Sequence, residues 1–275
     1  MLHHTLLSLP LLFLTTTASA SASASSSPSS PPTQNYTCPS HLYTIQIFSS
    51  DPLIIYIPQF LTPSEASHLE SISTGHFQSS EIADQTGAQH HASTRTSRST
   101  SLLSDPVVSC IEERALAFQG YDIPRSRLEP LQAVQYSLSE EYRPHTDWFT
   151  SAAQTRPEVG GNRATSFFVY VSASADIVGG GTQFPLLEAP RDEKWCGVVN
   201  CDAGWDEGVT FRPIARNAVF WRNMVDAPGA KGKGKGEKVG DRRTLHAGLP
   251  VQRGRKLGMN IWTREGALDG VYRSA

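Results

Sequence analysis

The sequence is short of charge of either sign. Only 18% of its 275 residues are charged, and 24 Lys and Arg face 26 Asp and Glu, for a formal net charge of -2. That balance leaves no broad cationic surface, so nucleic acid is not an expected partner. Cysteine is scarce: the four residues Cys38, Cys110, Cys196 and Cys201 contain a single close pair, which argues against a thiolate metal site. No internal repeat is present. The apolar run Leu6 to Leu14, interrupted by Ser8 and Pro10, falls short of the about 20 apolar residues a membrane-spanning helix needs. Apolar residues are not lacking. At 39%, with so small a net charge, the chain is expected to fold. Its length suits one domain of about 200 to 250 residues, or two small ones, enough to build a core without disulfide staples.

Residues 1–20 carry no charged side chain, and Ala18-Ser19-Ala20 offers the small residues that a signal peptidase accepts. They are expected to be a cleaved signal peptide, with an uncleaved hydrophobic anchor as the alternative. Residues 21–50 follow as a disordered Ser/Ala/Pro linker and N-terminal segment. Asn35-Tyr36-Thr37 is an N-glycosylation acceptor. These features point to the secretory pathway, either the endoplasmic reticulum lumen or the exterior, with no stable membrane span once the signal is removed. In that compartment Cys196 and Cys201, with four residues between them in a loop-like stretch, are the expected disulfide. Buried free thiols are the alternative, and the pairing of Cys38 and Cys110 stays open.

The sequence DPLIIYIPQF (51–60) predicts a strand. Thr62, Pro63 and Glu65 then form the signature of a capped helix start, predicting a helix to about Ser73. The polar stretch Gly75 to Ser101 reads as an exposed loop. Asp105 and Pro106 open a second helix, with apolar residues at Val107, Val108, Ile111, Ala115 and Phe118. From Pro130 the pattern changes to short β-branched and aromatic strands at 131–138, 166–172, 209–213, 217–221, 244–246 and 256–263. Such a series predicts a β-sandwich or barrel rather than a parallel α/β sheet. Gly229 to Gly240 alternates Lys and Gly and reads as a solvated loop.

His145-Thr146-Asp147 is an H-x-D pair in YRPHTDWF (142–149). On an extended segment both side chains share one face and can bind one ion. With nine His and twelve Asp, about 0.4 such pairs arise by chance, so the pair alone is weak. His246 lies 101 residues later. Two imidazoles and one carboxylate on one face of a metal are the facial set of non-haem Fe(II) oxygenases, and zinc hydrolysis is the competing use. Lys256 follows after a turn containing Pro250 and Gly254. That turn would bring it back into the same interior, where it could pair with the far carboxylate of a chelating dicarboxylate. The alternative is a surface lysine.

With these residues in view, the chain resembles a prolyl 4-hydroxylase-type Fe(II)/2-oxoglutarate-dependent dioxygenase, of a fungal, secretory-pathway kind. The resemblance runs from about Ile55 to Glu265. It rests on IPQFLTPSEASHL, Arg95-Thr96-Ser97, IEERALAF, the Leu131-Gln132 pair with Tyr136, YRPHTDWF, RATSFFVYVS, GGGTQFP (179–185), the stretch from Trp195 to Asn223 with NAVFWRN, and HAGLPVQRGRK. It implies an α+β fold, a double-stranded β-helix (jelly-roll) core at 51–265 with N-terminal helices packed outside, followed by a C-terminal tail at 266–275. His145, Asp147 and His246 match the iron ligands, and Lys256 matches the partner of the far carboxylate of 2-oxoglutarate. Tyr136 and Tyr170 match hydroxyls lining the cosubstrate pocket. Ser166 stands where many relatives have Thr, and Arg95 matches a residue near the substrate entrance.

The implied cofactors are Fe(II), 2-oxoglutarate and O2, with ascorbate. The implied reaction hydroxylates an unactivated carbon, of a peptidyl proline first, with release of succinate and CO2. The same chemistry on a small molecule and a non-catalytic jelly-roll binding module are the alternatives. Oligomeric state is left open.

Overall fold

The computed structural model describes residues 36–120, 122–204, 206–227 and 238–273. The expected signal peptide, the Ser/Ala/Pro tract, Asn35 and most of the Lys/Gly stretch lie outside them. A hairpin of β1 (Gln46–Ser50) and β2 (Leu53–Ile57) leads into α1 (Pro63–Ser73). Then come β3 (Gln78–Ser79), β4 (Ile82–Ala83), β5 (Gln89–His90), β6 (Arg98–Ser101) and α2 (Pro106–Gln119). Mostly strands follow: β7 (Gln132–Tyr136), β8 (Tyr142–His145), β9 (Arg163–Ala173), β10 (Val178–Gly179), β11 (Thr182–Phe184) and β12 (Val209–Phe211). The series closes with β13 (Ala218–Arg222), β14 (Met224–Asp226), β15 (Lys238–Gly240), β16 (His246–Gly248), β17 (Val251–Arg253) and β18 (Lys256–Arg264), before a turn of helix, α3 (Gly270–Arg273).

The strands form an eight-stranded sheet in the order β1-β2-β13-β9-β18-β7-β6-β3 and a four-stranded sheet in the order β12-β11-β16-β8. Alternation along the strands of the large sheet divides its side chains between two environments. Phe167, Val169 and Val171 of β9, Ala218 and Phe220 of β13, and Met259 and Ile261 of β18 share an apolar cluster with Ala66 and Leu69 of α1 and with Val107, Val108, Ile111 and Ala115 of α2. Phe168 and Tyr170 of β9, Val219 and Trp221 of β13, and Tyr56 of β2 point the other way. They cluster with Phe184 of β11 and Val209 and Phe211 of β12. The two sheets therefore face each other across a second core, the arrangement of a jelly-roll sandwich.

The helix starts follow their caps. The Glu65 N–H donates to Thr62 Oγ1 at 3.2 Å and the Thr62 N–H to Glu65 Oε2 at 2.8 Å, with Pro63 in the first turn. Asp105 accepts from the Val108 N–H at 2.8 Å ahead of Pro106. Two segments depart from expectation. The 75–101 stretch is not a plain loop: β6 extends the large sheet along β7, and Ser80 and Ser97 are buried with their hydroxyls 3.1 Å apart. Small hydroxyls that satisfy each other can be buried without an apolar pattern. The folded structure also reaches N-terminal of Asp51. β1 pairs with β2, Tyr36 and Tyr43 pack against the helix-side core, and Cys38 is bonded to Cys110 of α2.

Cys196 is bonded to Cys201. The two disulfides span very different sequence separations, 72 and 5 residues. Restriction of the unfolded chain by the longer loop gives about 4 kcal/mol, and by the shorter about 2 kcal/mol. The Cys38→Ser/Cys110→Ser variant is thus expected to lose about twice the stability lost by Cys196→Ser/Cys201→Ser, as read from urea unfolding midpoints at constant slope.

Candidate active site

The site begins with a strand register. β16 pairs antiparallel with β8 in the small sheet, and His246 lies opposite His145, with ring centroids 4.3 Å apart. Each imidazole is oriented by its own chain. His145 Nδ1 donates to the Arg143 carbonyl and His246 Nδ1 to the Thr244 carbonyl, both at 2.9 Å. With the proton held on Nδ1, each ring presents a lone pair at Nε2. These two atoms lie 3.8 Å from Asp147 Oδ1 and Oδ2 respectively. The sequence pattern predicts strand at 244–246, but the chain there is a turn, Arg242–Thr244, and the strand starts at His246. The Asp241 carboxylate accepts from the Arg243 N–H and the Asp241 carbonyl from the Thr244 N–H, and these contacts hold the turn.

Burial sets the protonation of the cluster. It pulls the His145 imidazolium down to about 3, with His246 adding to the effect, so the ring is neutral at physiological pH. Burial would raise the Asp147 carboxyl, but the two imidazoles, Arg163 and the Ser166 hydroxyl outweigh it and hold the group below its ordinary value. Two imidazole nitrogens and one carboxylate thus converge, with their ligating atoms all within 4.8 Å of one another. The set fits a divalent ion of intermediate softness, and three ligands leave coordination positions open.

Lys256 starts β18 opposite Tyr136 of β7. Its side chain is 1% exposed and lies over the rings of Tyr136, Phe168 and Tyr170 at 4.3, 5.3 and 5.8 Å. Its Nζ donates to the Gly180 carbonyl at 2.5 Å. No carboxylate pairs with it among the described residues, and burial lowers its pKa to about 7. The interior is shared with the three-ligand cluster: Trp221 and Phe184 pack on His246, and both belong to the core that holds Tyr136, Phe168 and Tyr170. Tyr136 is also buried, which lifts its phenol to about 12.

Tyr170 and Ser166, both expected with Tyr136 among the cosubstrate-binding residues, make hydrogen bonds within the protein. Tyr170 donates to Thr182 Oγ1 at 2.7 Å and lies 3.1 Å from the Phe211 carbonyl, and it accepts from the Thr182 N–H at 3.1 Å. It ties the two sheets together. Ser166 donates to Asp147 Oδ2 at 2.6 Å, so its hydroxyl serves the carboxylate.

A cleft of 1420 Å³ opens over His145 and Asp147. Arg95 forms part of its wall, donating to the Glu81 carbonyl and to Gln132 Oε1, both at 2.9 Å. It lies over the Tyr142 ring at 4.8 Å, and Tyr142 in turn stacks on His145 with centroids 3.5 Å apart. The wall also holds a group that sequence reasoning missed. Glu129 receives Arg163 in two contacts, at 2.7 and 2.8 Å, and Arg264 at 2.5 Å. The two guanidinium groups hold its carboxyl below the ordinary range despite burial. Arg163 also covers the Trp262 ring at 3.7 Å. Arg163 opens the RATSFFVYVS stretch and Trp262 lies near the end of β18, but a lone Arg or Trp gives no sequence signal. Their 99-residue separation becomes a contact only because β9 and β18 pair.

Residues 131–264 match the 2OG-Fe(II) oxygenase superfamily. Prolyl 4-hydroxylase 5 of Arabidopsis thaliana is 30% identical over 224 residues, which cover 79% of this chain and 70% of that protein. Prolyl 4-hydroxylase 1 of the same plant is 28% identical over 228 residues, covering 81% and 72%. Among solved structures, the viral collagen prolyl hydroxylase of Paramecium Bursaria Chlorella virus-1, determined with 2OG, gives a TM-score of 0.52 at 22% identity, covering 77% of this chain and 95% of that one. That is a likeness of fold.

Each of His145→Ala, Asp147→Ala and His246→Ala is expected to abolish tight Fe(II) binding in anaerobic titration, because each removes one of three protein ligands. Asp147→Asn should fail as well, since it keeps the shape and loses the charge. Fe(II) bound by Asp147→Asn as tightly as by wild type would show that the carboxylate is not a ligand.

Proposed function

The chain belongs to the prolyl 4-hydroxylase family of 2OG-Fe(II) oxygenases, and from that premise we propose that it hydroxylates a prolyl residue of a peptide at an Fe(II) held by His145, Asp147 and His246. Fe(II), once bound with 2-oxoglutarate and O2, would supply the oxidation, in which the 2-oxo acid loses CO2 and takes up one atom of O2 to become succinate while the other atom enters a C–H bond of the substrate. The observation that carries this reading is Lys256. A lysine buried among aromatic rings without an anionic partner is costly, and the cost is recovered when a carboxylate enters. The same interior holds the three-ligand cluster, so a dicarboxylate could reach both at once.

Lys256 receives the far carboxylate of 2-oxoglutarate, and Tyr136 lies against Lys256 to form the wall beside it. Phe168, Phe184 and Trp221 keep water from the interior, where an unpaired charge would be hydrated. Tyr142 fixes the His145 ring by stacking. Arg95, through Tyr142, shapes the entrance. The cleft is large enough for a peptide, and its wall mixes aromatic rings with polar side chains able to meet a peptide backbone. Two disulfides support passage through an oxidising compartment, in keeping with a signal peptide and a glycan at Asn35. Ascorbate would serve as reductant. Succinate release that rises with a proline-containing peptide, and not with the same peptide carrying alanine for proline, is the expected result. Succinate formation indifferent to every proline peptide, but driven by a small molecule, would move the substrate to the second class.

Lys256→Ala is expected to weaken 2-oxoglutarate binding by about 2 to 4 kcal/mol, roughly 30- to 1000-fold, while Fe(II) affinity stays near wild type. The pH dependence has a definite sign. The free lysine titrates at about 7 and only its charged form pairs with a carboxylate. Binding therefore takes up a proton above that pH, and affinity should fall toward tenfold per pH unit. Lys256→Arg, charged throughout, should flatten that slope. Calorimetric titrations of 2-oxoglutarate between pH 7 and 9 in buffers of different ionisation heat measure both effects, and a flat wild-type profile would mean that Lys256 does not meet the cosubstrate.

A further inference from the structure

We propose that Asn223 is a positioning residue that sets the direction of the Ser166 proton and, through it, the posture of the Asp147 carboxylate. This rests on the reading that His145, Asp147 and His246 hold a divalent ion, and not on the identity of the substrate.

A serine hydroxyl has one hydrogen to give and lone pairs to receive. Asn223 Nδ2 donates to Ser166 Oγ at 2.9 Å, and Ser166 Oγ donates to Asp147 Oδ2 at 2.6 Å. With an N–H group aimed at its oxygen, Ser166 cannot donate toward Asn223, so its single hydrogen goes to the carboxylate. Asn223 Oδ1 is buried and has no hydrogen-bond partner among the described residues. Reversal of the amide would take the Ser166 hydrogen, strip Asp147 of its donor and leave the Nδ2 hydrogens without an acceptor in place of Oδ1. The observed orientation is the one that keeps the Ser166 hydrogen on the ionised acceptor, which forms the stronger bond.

The position of Asn223 explains why it can do this. Val219, Trp221 and Asn223 alternate with exposed Arg222 along β13 and just past its end, so Asn223 points into the sandwich. Its main chain is fixed as well. The Asn223 N–H donates to the Ala164 carbonyl at 2.9 Å, and its carbonyl accepts the Asp241 N–H at 2.8 Å. The Asp241 carbonyl accepts Thr244 Oγ1 at 2.8 Å and Trp148 Nε1 at 3.1 Å. The Thr244 carbonyl, in turn, orients His246. Asn223 thus reaches Asp147 through its side chain and the turn before His246 through its backbone. Substitution removes only the first link.

Co(II) alone, titrated into the full chain and followed by visible absorption, reads the ligand set without turnover. Asn223→Leu, which keeps the branched shape and the number of side-chain heavy atoms, should weaken Co(II) binding by about 10-fold or more, the usual effect of losing a group that orients a metal ligand. Its metal-free melting temperature should not fall, since it removes a buried unpaired acceptor. Ser166→Ala should show a similar loss, and Ser166→Thr should keep wild-type affinity. The decisive result is the double variant: Ser166→Ala with Asn223→Leu should bind no more weakly than Ser166→Ala alone, because Asn223 acts through that hydroxyl. Wild-type affinity in Asn223→Leu, or a further loss when it is added to Ser166→Ala, overturns the proposal. If Asn223→Leu does not fold, Asn223→Ala supplies the same comparison. A wild-type protein that takes up no Co(II) would instead remove the metal reading on which the proposal stands.

Discussion

The eleven-residue strand β9 has to satisfy two interiors at once, and the molecule is organised around that constraint. Alternate side chains of Arg163–Ala173 enter the helix-side core and the sandwich core. A slip of one residue against β13 and β18 would exchange them. Phe167 would replace Ser166 beside Asp147, Val169 would replace Phe168 beside Lys256, and Tyr170 would lose Thr182. The register is held by long pairings on both sides, and the apolar pattern on the helix face makes any other register costly. The chemistry of the site is thereby carried by residues whose placement is decided by packing.

Charge is buried in two ways. Glu129 is neutralised by Arg163 and Arg264, a complete group that rigidifies the cleft wall. Lys256 has aromatic faces and one carbonyl but, among the described residues, no anion. The first arrangement is self-sufficient, and the second is ready to take a carboxylate. Packed rings stabilise the cation by their quadrupoles without competing for it as a carboxylate would.

Much of this was legible in the sequence, for different physical reasons. The two long helices announce themselves by local chemistry, since a capping threonine or aspartate and a proline act within four residues. The strands of the large sheet show through their β-branched and aromatic runs. His145 and Asp147 are visible because an H-x-D spacing can bring two ligands to one ion, even though β8 ends at His145 and Asp147 follows in the bend beyond it. The 75–101 strands were not legible: Ser80 and Ser97 are buried by satisfying each other, which leaves no apolar trace. Nor was the true partner of Ser166, because a hydroxyl has no sequence signature for what it donates to. Glu129, Arg163, Arg264 and Asn223 meet only through pairings between distant strands.

The β14–β15 ladder has a consequence for sequence change. Met224 lies opposite Gly240, Val225 opposite Val239 and Asp226 opposite Lys238, and Lys238 pairs with Asp226 at 2.5 Å. Gly240 meets Trp148 so closely that an added Cβ would sit 2.1 Å from its ring. The link from Asn223 to Asp241 is therefore fixed at the base of the hairpin. Trp148 in turn donates its Nε1 hydrogen to the Asp241 carbonyl, so a side chain added at Gly240 would be felt at His246 without touching any ligand, and this glycine is where drift of the sequence would be least tolerated.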